Sequence, residues 1–405
     1  MSARPWLYVV GIGEDGLDGL GPSARELVAK AEVLVGGARH LAKVPPGPAE
    51  HVAWGADFAQ TLESLARFRG RRVVVLASGD PMNYGAGAVV ARRFAREEFM
   101  IVPAPSAFSL AAARLGWSLP DVESLTVHGR PLAVVDRHIA PGRKLLILAE
   151  DGETPAQLAG HLVRRGYGQS PMFALERLGG AKERVLEGTA ESWPHPRGDD
   201  LVTLAVACVA GPSARILSRA SGLPDEAFAH DGQITKREVR AATLARLMPL
   251  PGQLLWDVGA GAGSIAIEWL RAEPSARAVA LERDPARLRL IRRNAEILGV
   301  PELEIVAGDS PAALGELPSP PDAVFVGGGI STETLGACWQ ALAPRGRLVV
   351  NAVTLEAERA LLDFHAGTGG ELTRISVERL DTLGAHAAMK PMRPVLQLAC
   401  EKKHG

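Results

Sequence analysis

Short apolar, β-branched runs alternate with longer stretches in which apolar residues recur at helical spacing. In the first half the strand-like runs fall at residues 7–10, 33–35, 73–76, 99–102, 145–148 and 201–209. Helix-like segments lie between several of them, for example 22–31 and 86–96. This alternation predicts an α/β fold. It pauses in the polar, proline-containing stretch after residue 210. A second series follows, with strand-like runs at 254–258, 278–282, 304–306, 323–326 and 347–351. Two late runs, 372–377 and 395–400, have little helical pattern between them. Five strands with crossovers and then two without predict a seven-stranded sheet, parallel at first and ending in an antiparallel pair. The expected organisation is a domain over 1–211, a linker over 212–230 and a second domain over 231–405.

Composition narrows the function. A chain of 405 residues holds two or three domains, and 47% hydrophobic with 22% charged residues excludes global disorder. Lys plus Arg is 45 and Asp plus Glu is 46, a net charge of −1, which argues against a dedicated nucleic-acid binder. Cys208, Cys338 and Cys400 lie far apart without a CxxC, so neither a disulfide scaffold nor a metal site is expected, and a cytoplasmic location fits. The first residues lack the apolar core of a signal peptide. The longest apolar run, 201–210, is half of the roughly 20 residues that span a bilayer, so no membrane partner is expected.

The strongest local signal is Leu254-Leu-Trp-Asp-Val-Gly-Ala-Gly-Ala-Gly-Ser264. A strand runs into Gly259, Ala260, Gly261, Ala262 and Gly263 and then into a helix. Glycines let the backbone approach a ligand, and the helix start offers free N–H groups. The next strand ends at Glu282, where a carboxylate can hold a ribose diol. The one after ends at Gly308-Asp309-Ser310, where Asp309 can accept from an amine. Both a nicotinamide dinucleotide and S-adenosylmethionine fit such an edge. Ser264 occupies the last position of the dinucleotide fingerprint, and Asp257 precedes the first glycine by two residues. Upstream, Thr235-x-x-Glu238 reads as a capping box opening a helix to residue 248. Asp284-Pro285 reads as the start of another helix, with Leu288, Ile291, Ala295 and Leu298 as its buried stripe. Arg287, Arg289, Arg292 and Arg293 lie off that stripe, as a solvated face or a carboxylate-binding patch.

The first half carries Val10-Gly11-Ile-Gly13-Glu-Asp-Gly16 after its first strand. The second strand ends in Gly36-Gly37 rather than an acid, which excludes a dinucleotide site. Gly79-Asp80-Pro81-Met82 follows the strand at 73–76, and Pro103-Ala-Pro-Ser106-Ala107 follows that at 99–102.

Gly-x-Gly, Gly-Asp-Pro and Pro-x-x-Ser, in order at successive strand ends, resemble the tetrapyrrole methylase family over about 200 residues. The stretch Thr-x-x-Glu-Val-Arg240, the D-x-G-x-G-x-G loop, Gly308-Asp-Ser-Pro and Gly327-Gly-Gly329 resemble the class I decarboxylating precorrin methyltransferases of cobalamin synthesis. The resemblance implies two α/β subdomains in the first domain and a Rossmann-like second domain. It implies S-adenosylmethionine as the methyl donor of both. Residues matching donor contacts are Gly79, Asp80, Met82, Ser106 and Ala107 in the first domain. In the second they are Thr235, Gly259, Ala260, Gly261, Ala262, Gly263, Glu282, Asp309 and Ser310. The segments 326–329 and 351–356 match those on the substrate side.

The implied partner is a small-molecule tetrapyrrole, with a homo-oligomer expected and no nucleic acid. The implied activity is methylation of precorrin-6B at C5 by the first domain, and at C15 with loss of the ring C acetate carboxyl by the second. The product would be precorrin-8X, and the cobalt-bearing ring is the alternative substrate. Glu14-Asp15 stands where small residues are commoner in the family. Arg39 and His40 can face substrate carboxylates or can belong to an exposed loop. No nucleophile triad stands out, as expected when catalysis is mainly alignment of a donor methyl with a carbon nucleophile. His386 and Lys390 can assist proton transfer or can sit on an ordinary exposed hairpin.

Overall fold

The computed structural model describes residues 5–54, 61, 63–318 and 320–403. It divides into two units: Met1–Arg130 with Ala140–Ile216, and Pro131–Ile139 with Leu217–Gly405.

The first unit opens with β1 (Leu7–Ile12), β2 (Val33–Gly36), β3 (Glu50–Ala53), β4 (Val73–Ser78) and β5 (Phe99–Val102). They form one parallel sheet in the order β3-β2-β4-β1-β5. Successive side chains of a strand face opposite sides, and both sides are covered here. Leu7, Val9, Val33, Val35, Val73 and Val75 enter one core, while Tyr8, Val10, Leu34, Val74 and Leu76 enter the other. That is why these strands read as unbroken apolar runs.

A second sheet contains β6 (Val122–Thr126), β7 (Lys144–Leu148), β8 (Pro171–Glu176), β9 (Arg184–Thr189) and β10 (Val202–Ala207). Its order is β6-β7-β10-β8-β9, with only β6 and β7 parallel. The helix Ala107–Leu115 lays Phe108, Ala111 and Ala112 on Leu146, Leu175 and Ala205 of this sheet. Strands β3, β6, β8 and β9 were not expected from the pattern. Three of them are sheet edges, and β8 begins at a proline.

The second unit holds β11 (Leu254–Val258), β12 (Arg277–Glu282), β13 (Glu304–Ala307), β14 (Ala323–Val326) and β15 (Arg347–Ala352). β16 (Glu371–Ile375), β17 (Glu378–Leu383), β18 (His386–Pro391) and β19 (Val395–Glu401) follow. Seven strands form one sheet in the order β13-β12-β11-β14-β15-β19-β16. The first five are parallel, and β19 is antiparallel to both of its neighbours. The chain reverses its direction of sheet growth between β11 and β14, which opens a crevice beyond their carboxyl ends. The remaining pair, β17 and β18, forms a separate hairpin, with Leu380 and Leu383 each 74% exposed.

Residues expected to be linker are built into this unit. Leu223, Ala227 and Phe228 are buried in its core, and Gly222 N and Leu223 N donate to the Glu268 carboxylate at 2.6 and 2.9 Å. Arg240, fully buried, pairs with Glu268 at 2.6 Å and Asp225 at 3.2 Å, and its guanidinium lies 4.8 Å from the Phe228 ring. The short segment Pro131–Ile139 also belongs here, with Arg137 paired to Glu302. Among the described residues no helix is long and apolar enough to cross a membrane.

The capping box expected at Thr235 is absent. The helix Arg237–Leu247 starts one residue later, from Lys236, with no side-chain cap. Glu238 is drawn instead to Arg379 at 2.7 Å, and the Thr235 carbonyl accepts from buried Arg240. The start expected at Asp284 does form: its carboxylate accepts from Ala286 N at 2.7 Å and Arg287 N at 3.4 Å.

Candidate functional site

In the first unit the three motifs meet at the carboxyl ends of β1, β4 and β5. A Cβ on Gly11 would run into the Gly79 carbonyl oxygen and would stand 2.8 Å from Ala104 N. Only glycine permits that crossing of backbones. Gly79 in turn lies against Pro105 and Ser106, the nearest atoms to its Cβ position being Pro105 O at 3.0 Å and Ser106 Cα at 3.3 Å. Asp80 tightens its own turn by accepting from Met82 N at 2.9 Å, which leaves Met82 half exposed. Ser106 is buried and caps the helix Ala107–Leu115 by accepting from Ser109 N at 3.0 Å. Tyr84 reaches the second sheet, donating to Ser124 O at 3.3 Å and meeting the Phe108 ring edge-on at 6.2 Å.

Arg39 and His40 sit on a helical turn, Ala38–Leu41, rather than in an open loop. Arg39 Nη2 donates to Ser78 Oγ at 2.9 Å, and His40 Nε2 lies 2.8 Å from the same oxygen. Ser78 ends β4, directly before Gly79. Burial, reinforced by Arg39 and Lys43, pushes His40 down to about 4, so it is neutral at pH 7; its Nδ1 is buried without a partner. Glu14 binds Arg39, Lys43 and Arg177, the last at 3.4 Å. Burial opposes its ionisation, but these cations together hold its carboxyl below the usual range. Arg177 also pairs with Asp199 at 2.6 Å. Glu14 as a hub was missed in the sequence, where its only signal was an acid in place of a small residue.

In the second unit Gly259 has φ +69°, and a Cβ there would stand 2.7 Å from Gly328 Cα. The loops after β11 and β14 therefore cross backbone against backbone. Gly259 N and Ala260 N both donate to Leu281 O at 3.0 Å, which ties the loop to β12. The Glu282 carboxylate, at the end of β12, accepts from Gly261 N at 2.8 Å through one oxygen. Through the other it accepts from Arg283 N and Asp284 N, both at 3.0 Å. Asp257 is wholly buried under the loop. One of its oxygens accepts from Ala266 N at 3.0 Å and the other has no partner. Burial, with a smaller push from Glu282, raises it to about 7 against the Ala266 hydrogen bond.

These loops open onto a cavity of about 1000 Å³. Thr235, Gly259, Ala260, Gly261, Glu282, Asp309 and Ser310 all line it. Ala262 and Gly263 lie behind it: Ala262 is buried, with its carbonyl on Asn294 Nδ2 at 2.9 Å, and Gly263 starts the helix Ser264–Ala272. Asn351, Val353 and Thr354 line the far side, as do Gly327, Gly328 and Gly329. The hairpin contributes Arg379, Leu380, Asp381 and Lys390 to the wall. Lys390 pairs with Asp381 at 2.8 Å, whereas His386 is exposed and is not part of the lining. Of the arginines on the helix Pro285–Ile297, Arg287 reaches the cavity and pairs with Asp231 at 2.9 Å, whereas Arg289, Arg292 and Arg293 are exposed.

Two family profiles match in tandem: "Tetrapyrrole (Corrin/Porphyrin) Methylases" over residues 6–194 and "Precorrin methyltransferase domain" over 226–402. A Sinorhizobium sp protein named precorrin-6Y C(5,15)-methyltransferase [decarboxylating] is 48% identical over 402 residues, covering 98% of this chain and 97% of its own. Two proteins of Salmonella typhimurium are similar to about half of the chain each. One is named cobalt-precorrin-7 C(5)-methyltransferase, 36% identical over 44% of this chain and 88% of its own. The other is named cobalt-precorrin-6B C(15)-methyltransferase (decarboxylating), 34% identical over 45% of this chain and 96% of its own. With a near-full-length relative at that identity and both profiles in order, the chain belongs to the family of the precorrin-6Y C(5,15)-methyltransferases [decarboxylating].

Proposed function

We propose that this chain carries out two S-adenosylmethionine-dependent methylations in cobalamin synthesis, converting precorrin-6B to precorrin-8X. The first unit methylates C5; the second methylates C15 and releases the ring C acetate carboxyl as carbon dioxide. The observation that carries this reading is the near-full-length likeness to the Sinorhizobium protein, joined to two separate glycine-crossed strand edges in one chain. The half-length relatives, each named for a single position, support the division of labour. The metal-free ring is favoured because the full-length relative is named for a precorrin and the cobalt-precorrin names belong to the half-length ones.

The donor fits the residues present. In the second unit Glu282 and Asp309 offer carboxylates at neighbouring strand ends, suited to a ribose diol and an amine. Gly259 and Gly261 keep side chains out of the space beside them. In the first unit Gly79, Asp80, Met82, Ser106 and Ala107 form the corresponding rim. When bound, S-adenosylmethionine supplies an electrophilic methyl group on a sulfonium. The protein's part is alignment and exclusion of water, the electron-rich ring carbon being the nucleophile. The crossed backbones at Gly11 and Gly259 serve that end, since they fix the rims without mobile side chains. For decarboxylation the conjugated ring is the electron sink, and the second unit supplies a walled cavity that holds the acetate arm.

Mass analysis of the product from precorrin-6B and methyl-labelled donor tests the whole reading. Two labelled methyl groups and the loss of one carbon dioxide are expected. One methyl group, or two with the carboxyl retained, would overturn it. NADH should show no binding in parallel titrations.

A further inference from the structure

The cavity of the second unit is walled by six cations, Lys236, Arg283, Arg287, Arg379, Lys390 and Arg393, against three carboxylates, Glu282, Asp309 and Asp381. Four of the cations are committed to acids of the unit. Arg283 pairs with Asp309 at 3.3 Å and Arg287 with Asp231 at 2.9 Å. Arg379 holds Asp225 at 3.1 Å and Glu238 at 2.7 Å, and Lys390 holds Asp381 at 2.8 Å. Lys236 and Arg393 have no acidic partner among the described residues. Lys236 is half-buried and stands directly before the helix Arg237–Leu247.

Their place in the fold separates Arg393 from the donor edge. β19 runs antiparallel to β15, with Leu396 opposite Ala352, and Val395 lies opposite Ile375 of β16. The start of β19 therefore stands on the same rim as the carboxyl ends of the parallel strands. Arg393, two residues before it, is on that rim at the β19 end of the sheet. Glu282 ends β12, four strands away in the order β12-β11-β14-β15-β19. At about 4.8 Å per strand that is roughly 19 Å, the scale of a macrocycle rather than of one small anchored group. Met392 N donates to Val377 O at 2.9 Å, which secures the base of the hairpin beside Arg393.

We propose that Lys236 and Arg393 are the carboxylate receptors of the second unit, each taking a peripheral carboxylate of the tetrapyrrole and so setting which ring carbon lies over the donor. The proposal rests on the second unit acting on a tetrapyrrole. A polycarboxylate macrocycle supplies the anions that the internal acids leave unmatched. Two fixed points define the rotation of a ring within the cavity, where one would leave it free to turn. These residues act in binding and selection, not in the bond-making step.

The test uses the full chain with Lys236→Ala, Arg393→Ala, Lys236→Arg and Arg393→Lys. The two alanine variants should each raise KM for the tetrapyrrole in the C15 step by roughly tenfold, with kcat much less affected. The charge-retaining variants should recover most of that loss, which a merely structural role would not do. Calorimetric binding of S-adenosylhomocysteine should be unchanged in all four. Methylation at C5 serves as the internal control and should proceed at the wild-type rate. An unchanged KM in both alanine variants overturns the proposal. Weakened S-adenosylhomocysteine binding by Lys236→Ala would assign that lysine to the carboxylate of the donor instead and also overturn it. Absence of any methyl transfer by the wild-type chain would be a different result, the failure of the functional reading itself.

Discussion

Both units put a glycine where backbones cross at the carboxyl ends of parallel strands, Gly11 near the end of β1 against Gly79 and Ala104 in the first and Gly259 just after β11 against Gly328 in the second. They part company in how charge is handled around that point. In the first unit Arg39, Lys43 and Arg177 converge on one carboxylate, Glu14, which links the loop after β1 to the segments after β2 and β8. In the second unit the cations stand around a cavity and pair mostly with acids of the same unit, which leaves Lys236 and Arg393 over. The backbone solution is shared because it answers one physical demand, close approach of a ligand to the main chain. The electrostatic solutions differ because one rim is assembled from the loops of two sheets and the other from the edge of one.

The sharpest way to break this comparison is to fill each crossing. Gly11→Ala and Gly259→Ala should each abolish one methylation and spare the other. The added carbon meets backbone atoms in both cases, so a loop must move, and a displacement of about 1 Å at a reacting centre costs roughly 100-fold in rate. Mass analysis of the products from each variant reads the two positions separately. Loss of both methylations from either substitution would mean that the two crossings do not serve separate sites.

A smaller effect is expected from the carboxylate that ends β12. Glu282→Ala removes an acceptor from Gly261 N, Arg283 N and Asp284 N at once, and removes the group proposed to hold the ribose. Charge-assisted hydrogen bonds of this kind are worth roughly 1.5–3 kcal/mol, which is about 10- to 100-fold in affinity. Calorimetry with S-adenosylhomocysteine on the whole chain should show two sites before the substitution. After it, one site should be weakened and the other unchanged. Equal affinity at both sites would remove Glu282 from donor binding.

How much of this was legible in the sequence follows from what each residue had to satisfy. Strands β11, β12, β14 and β15 and the glycine loops between them were readable because both faces of a parallel sheet are buried, which writes itself as continuous apolar runs. The edge strands β3, β6 and β9 were not, since exposure lets polar residues interrupt them. The hairpin β17–β18 was legible only as an exposed hairpin around His386 and Lys390, and its strand bounds and its part in the cavity wall were not. Thr235 and Glu238 carried a local capping pattern that lost to Arg379, a partner 141 residues from Glu238 in sequence. Glu14 with Arg177, and Arg240 with Glu268, are likewise pairings between distant segments, and no local periodicity encodes them. The segment Pro131–Ile139, folded with the second unit from within the first half of the chain, belongs to the same class.

The two units should also respond to pH with opposite sign, because each buries a group with an unpartnered atom whose titration is moved across the range between pH 4 and 7, His40 Nδ1 in the first and Asp257 Oδ1 in the second. His40 is lowered from 6.5 to about 4 by burial and then by Arg39 and Lys43. Its unfolded form binds a proton that the folded form refuses, so its contribution is present above pH 6.5 and is lost as pH falls toward 4. Asp257 is raised from 3.8 to about 7, chiefly by burial. Its folded form keeps a proton that the unfolded form releases, so stability is present below pH 4 and is lost as pH rises through 7. Between pH 8 and pH 5 each group should change the stability of its own unit by roughly 2 kcal/mol, downward for the first and upward for the second. His40→Gln should flatten the acid loss of the first unit, and Asp257→Asn, which keeps the acceptor for Ala266 N, should flatten the alkaline loss of the second. Thermal unfolding of the full chain at pH 5 and pH 8 reads both, with each variant moving its own transition at one pH and leaving the other transition in place. A shift of both transitions by Asp257→Asn, or of neither by His40→Gln, would show that these two groups do not set the pH response of separate units.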